Sequence, residues 1–204
     1  MVFEEEKIEG EGPEEFKGWK TGYRAWKLGF KGEDPRLVSM GGVTWEPGGE
    51  GEDVSDFEEG SKPFETSMHG LYSLKSLKAV KEHGYAGHGA IMGAIKPYGT
   101  VVHGVGAQGV EVFRSTKARV DSLFRQSAPC YVCSKAGRVV VRETDREHVV
   151  LCDACRKRLQ RLIGKLGPET VREYTLEDLL NRLAIVYEAS VVDFPEEEKE
   201  EELE

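Results

Sequence analysis

The sequence predicts an α+β protein: a small mixed or antiparallel sheet domain with one or two helices, then a cysteine-bearing module and a C-terminal helix. Three observations lead there. Residues 17–128 alternate short apolar runs with glycines, the pattern of grouped strands and turns. All four cysteines fall within residues 129–167. Residues 168–195 carry leucines at helical spacing.

In the sheet domain, residues 22–28 (GYRAWKL) read as a strand with Tyr23 and Ala25 on one face. Residues 37–39 and 43–45 flank Gly41-Gly42, a hairpin signal. Residues 46–61 are rich in Gly and acids and read as a surface loop. A helix is expected from a Ser73 cap, with Leu74, Leu77 and Val80 on one face and Gly84 as its stop. Residues 90–95, 99–102 and 109–113 read as short strands, and 115–125 carries Ala118, Leu123 and Phe124 at roughly helical spacing.

Charge divides the chain differently. The net charge is −9, but residues 1–15 and 196–204 each carry seven Glu and one Lys. The body between them is at about +3. Both acidic ends, residues 1–16 and 196–204, are expected to lack fixed structure, because like charges cannot bury apolar surface. One Asn and three Gln stand against 65 charged residues, a bias reported for hyperthermophiles. No apolar run reaches membrane length and no secretory leader is evident, so the expected location is cytoplasmic.

The most specific signal is Cys130-Tyr-Val-Cys133, eighteen residues, then Cys152-Asp-Ala-Cys155. Each Cys-x-x-Cys can turn back on one ion, and two supply the four thiolates of a closed, structural Zn²⁺ site with no open catalytic position. Two disulfides, or iron on the same ligands, are the competing readings. The spacer supports the pairing: residues 138–143 and 147–151 are β-branched runs around Thr144-Asp145, a hairpin that returns the second pair to the first. A helix over 153–165 is expected to turn Leu159, Leu162 and Ile163 inward. This knuckle, hairpin and knuckle-opened helix, residues 130–167, resembles the treble-clef zinc fingers.

Arg156, Lys157, Arg158 and Arg161 cluster on the expected helix, a set suited to phosphates. Nucleic acid is the expected partner. A solvated face or a protein partner is the alternative, and no aromatic is interleaved for base stacking. Thr175-Leu-Glu-Asp178 has the form of a capping box, followed by Leu176, Leu179, Leu180, Leu183, Val186 and Tyr187 as an apolar stripe.

Gly22-Tyr-Arg-Ala-Trp26, Trp45-Glu-Pro47-Gly48, Gly70-Leu-Tyr72-Ser73 and Tyr98-Gly99-Thr-Val-Val102 occur in an order that resembles a small domain of bacteriophage and actinobacterial proteins. The likeness spans about residues 22–120 and implies a fold and a viral or mobile-element origin, with no activity attached. Met68-His69 stands where phage members often carry Cys-x-Cys. A further layout is similar to ADP-ribosyltransferases. That resemblance implies an NAD-using enzyme with Arg24, Tyr72, Ser76 and Glu111 in its site. Gly104-Val-Gly106-Ala-Gln-Gly109 lacks the following helix that a dinucleotide loop needs. The leading expectation is a non-enzymatic zinc-binding protein that contacts nucleic acid; the enzyme and a structural or assembly protein are the alternatives.

Overall fold

The computed structural model describes residues 4–8, 20–40, 42–46, 50–52, 71–82, 89–105, 109–125, 128–142, 148–163 and 172–195. The acidic tail 196–204, most of the loop 46–61, Gly84 and the Thr144-Asp145 turn lie outside them.

Strand β1 (Glu4–Ile8) runs antiparallel to β6 (Ile91–Val105), so five residues of the lead expected to lack structure form a sheet edge. β6 also pairs with β2 (Gly22–Lys31) and with β7 (Glu111–Phe124), both antiparallel. β5 (Leu71–Leu74) bridges β2 and β7. The pairings β6–β2–β5–β7–β6 therefore return on themselves. β3 (Asp34–Val38) extends β2 through the Gly32-Glu33 turn, and β4 (Glu50–Glu52) lies on β7.

Two expectations for this sheet are corrected. Residues 115–125 are strand, not helix. Ala118, Leu123 and Phe124 do have helical spacing, but the long ladder with β6 supplies backbone partners along the whole segment. The short strands expected at 90–95 and 99–102 are one strand with an irregularity between Tyr98 and Val101. The helix cap also moves. Ser73 belongs to β5, opposite Phe113, and Ser76 caps α1 (Leu77–Glu82) by accepting the Ala79 amide at 3.1 Å. The hairpin at Gly41-Gly42 is present in brief form: Val38 bridges Thr44, and the Trp45 amide donates to the Leu37 carbonyl at 2.9 Å.

A three-stranded sheet follows, ordered β10 (Arg172–Thr175), β8 (Val139–Arg142), β9 (His148–Leu151), all antiparallel. Helix α2 (Asp153–Ile163) leaves β9. The region 168–195, expected as one helix, holds β10, α3 (Leu176–Val186) and β11 (Ser190–Val192), the last parallel to β7. The N-cap half of the capping box is observed: Thr175 Oγ1 accepts the Asp178 amide at 3.1 Å.

One core joins what the sequence separates into modules. Trp26, Leu28, Leu37 and Trp45 from the first sheet pack in one cluster with Ala128, Val140 and Val150. Leu176, Leu179, Leu180, Leu183 and Tyr187 of the α3 segment complete it. The stripe of α3 thus covers the first sheet and the cysteine-bearing hairpin together. Glu33, in the β2–β3 turn, pins the same junction. Its carboxylate accepts the Tyr174 hydroxyl at 2.7 Å and pairs with Arg172 and, at 3.8 Å, with buried Arg142.

Candidate metal centre

The first knuckle is set by backbone hydrogen bonds. The Cys130 amide donates to the Lys135 carbonyl at 2.7 Å, and the Ser134 amide to the Cys130 carbonyl at 2.9 Å. Ser134 takes φ 58° to close the turn. The Tyr131 amide donates to the Val150 carbonyl at 2.8 Å, which holds this knuckle against β9. Gly137 makes the approach possible: a Cβ there would lie 2.3 Å from Val150 Cγ1 and 2.7 Å from the Ala128 carbonyl oxygen. Cys152 follows β9 directly, and Cys155 lies in the first turn of α2, whose Arg156 amide donates to the Cys152 carbonyl at 2.9 Å.

The four sulfurs all lie within 4.8 Å of one another. Cys133 Sγ is 3.6 Å from Cys152 Sγ and 3.7 Å from Cys155 Sγ. A tetrahedron with metal–sulfur bonds of about 2.3 Å has S···S edges of about 3.8 Å. The donor set therefore fits a single tetrahedral ion. All four cysteines are free, which sets aside the two-disulfide reading. Cys130 and Cys152 are buried, Cys155 is partly covered and Cys133 is exposed, so the cluster opens to solvent on one side.

Electrostatics favours a cation at this point. Burial pushes the Cys130 thiol up, but the amides of Cys152, Val132 and Cys133 together outweigh it and bring it down to about 6. The Cys155 amide lowers Cys152. Burial, then the neighbouring sulfurs, push Cys155 up to about 12. Four sulfurs this close cannot all ionise without a compensating charge, and a divalent ion supplies it.

On α2, the expected cations separate. Arg156 is held by Glu173, with Nη2 at 2.6 Å and Nε at 3.0 Å, and Gln160 donates to the other oxygen of the same carboxylate at 3.1 Å. Lys157, Arg158 and Arg161 are exposed, and none has an ion-pair partner among the described residues. Tyr131 and Val132, between the first two cysteines, are 59% and 61% exposed.

Of the enzyme-like set, two members meet. Arg24 Nη1 donates to the Tyr72 carbonyl at 2.5 Å, and its guanidinium lies 5.2 Å from the Trp45 ring centre. The Ser76 hydroxyl is engaged in capping α1, and Glu111 pairs with Lys75 at 2.9 Å. Sequence reasoning missed buried Arg142, Arg114 stacked 4.4 Å over the Tyr72 ring, and the junction role of Glu33. Nothing local in the sequence marks these, because each role is defined by a distant strand.

No family model, curated protein or solved structure matches this chain. The likeness of residues 22–120 to the phage and actinobacterial domain therefore rests on the quoted residues alone. No helix among the described residues is long and apolar enough to cross a membrane.

Proposed function

We propose that this chain is a non-enzymatic, zinc-binding protein that contacts nucleic acid phosphates through α2. The convergence of the four sulfurs carries the reading. Zinc is the ion of choice for an all-thiolate tetrahedron, and four protein ligands leave no position for an activated water. The knuckle, the β8–β9 hairpin and a helix bearing Cys155 support a treble-clef-like module. Within it α2 leads away from the metal with Lys157, Arg158 and Arg161 on its exposed side. Residues 130–167 carry nine Lys or Arg against four acids, so the module stays basic after four thiolates and a divalent ion are counted. A mobile-element origin and a cytoplasmic location are compatible with this reading.

Two measurements test it. Elemental content should be one zinc per chain, and DNA or RNA columns should retain the protein at about 50 mM salt with retention falling steeply as salt rises. Absence of retention removes the nucleic-acid part and leaves the metal part standing. The exposed Tyr131 and Val132 favour a second reading, a protein partner. Under it, Tyr131→Ser abolishes partner capture and leaves nucleic-acid retention unchanged.

A further inference from the structure

The inward face of the first sheet holds polar groups that the metal centre does not use. On β2, Tyr23 and Ala25 pack on one side of the sheet and Trp26 on the other, so alternation puts Arg24 on the Trp26 side. On β5, Tyr72 is exposed, and Ser73 is 2% exposed on the opposite face. On β7, Arg114 stacks on Tyr72, which leaves Ser115, also 2% exposed, facing inward. Arg24, Ser73 and Ser115 therefore share one face.

Arg24 and Ser73 are also neighbours. The Tyr23–Leu74 pair sets Arg24 beside Ser73, and Arg24 reaches the carbonyl of the adjoining Tyr72. Ser73 stands opposite Phe113 and Leu71 opposite Ser115, so the two serines are diagonal across β5 and β7. Gly22 leaves the space that Ser73 fills: a Cβ on Gly22 would lie 2.2 Å from Ser73 Oγ.

Arg24 finds one backbone acceptor, and the other three groups find none among the described residues. Ser73 Oγ, Ser115 Oγ and the Trp26 indole N–H are buried without a hydrogen-bond partner among the described residues. Arg24, half-buried, has the Tyr72 carbonyl and the Trp45 ring as partners and no carboxylate among the described residues. Burial alone pulls its guanidinium down to about 10. A partly desolvated cation with no carboxylate partner among the described residues, and three unmet buried polar groups, are each costly. Arg and the indole only donate, and serine hydroxyls can donate. The missing complement is an acceptor that carries negative charge.

We propose that Arg24, Ser73 and Ser115, with the Trp26 indole, form an internal binding site for an oxyanion group, a phosphate or a carboxylate. Arg24 provides the charge and a planar donor pair, and the two hydroxyls fix orientation. The site shares no residue with the cysteine cluster or α2, and it stands or falls independently of the proposed zinc and nucleic-acid function.

The test follows the indole N–H signal of Trp26 by ¹⁵N NMR in the full, metal-loaded chain. Inorganic phosphate, AMP and acetate are titrated separately at constant ionic strength against chloride. The expected result is a saturable shift with at least one of them at millimolar concentration, weakened at least about tenfold in Arg24→Gln. Response to phosphate or AMP identifies a phosphate site, free or esterified; response to acetate alone identifies a carboxylate site. Should Arg24→Gln fail to fold, Ser73→Ala and Ser115→Ala carry the test, since each removes only an unmatched hydroxyl, and each should weaken the titration several-fold. No saturable shift up to about 50 mM of any anion, or a titration unchanged in the variants, overturns the proposal in favour of internal waters on these groups.

Discussion

The Tyr187 hydroxyl donates to the Trp45 carbonyl at 2.6 Å and accepts the Leu37 amide at 3.0 Å. All three residues are essentially buried. One phenol thus satisfies the backbone of the turn after β3 and locks it to the end of α3. Tyr187→Phe keeps the ring and strands both backbone groups, so it should cost about 1–3 kcal/mol in denaturant melts. Burial raises the Tyr187 hydroxyl above the ordinary tyrosine value. The unfolded chain therefore loses this proton first as pH rises. Stability from this group is complete below about pH 10 and declines above it. The difference between wild type and Tyr187→Phe should shrink over that range, and a constant difference would refute the linkage.

Removing the metal should loosen more than the cysteine-bearing hairpin. Val140 and Val150 share a core with Trp26, Leu37 and α3, so chelation should lower the melting temperature of the whole described unit in one transition. Two separated transitions would show that the modules fold independently. Cys133→Ser removes the solvent-facing ligand, and such protein should retain no zinc against a competing chelator.

Gly137→Ala offers a test that touches no ligand. Its Cβ would collide with Val150 and with the Ala128 carbonyl, forcing the first knuckle away from β9. Zinc affinity should fall by about 10–100-fold, the range seen when the support of metal ligands is disturbed. An unchanged affinity would show that the knuckle is positioned by the metal alone.

The cations of α2 should separate by role. Combined Lys157→Ala, Arg158→Ala and Arg161→Ala should flatten the dependence of nucleic-acid affinity on salt by roughly 2–3 in the log–log slope. Arg156→Ala should act on stability instead, through Glu173, and only slightly because the pair is partly solvated. A slope equally reduced by Arg156→Ala would reassign that residue to the phosphate contact.

Thr175→Ala deletes the oxygen that accepts the Asp178 amide. A loss of about 1 kcal/mol is expected in equilibrium unfolding. A smaller effect would mean that solvent replaces the cap.

What the sequence disclosed was local. The spacing within each Cys-x-x-Cys, the β-branched runs 138–143 and 147–151 and the Thr175 cap are all local features of the chain. The strand β7 was hidden because its apolar residues also fit a helical period, and pairing with β6 decided between the two. Ser73 and Ser76 offer the same capping chemistry, and only the ladder from Ser73 to Phe113 distinguishes them. The shared core and the inward polar face depend on partners as far apart as Leu37 and Tyr187, 150 residues in sequence, and no period marks them.

The cover over Trp26, Leu37 and Trp45 comes from chain made much later. Tyr187 lies 142 residues beyond Trp45. At about 5–20 residues per second, a ribosome needs roughly 7–30 s to deliver it. For that interval the newborn sheet presents its tryptophans to the surrounding medium, so holdase chaperones should engage stalled nascent chains that end before α3 and release those that extend past it.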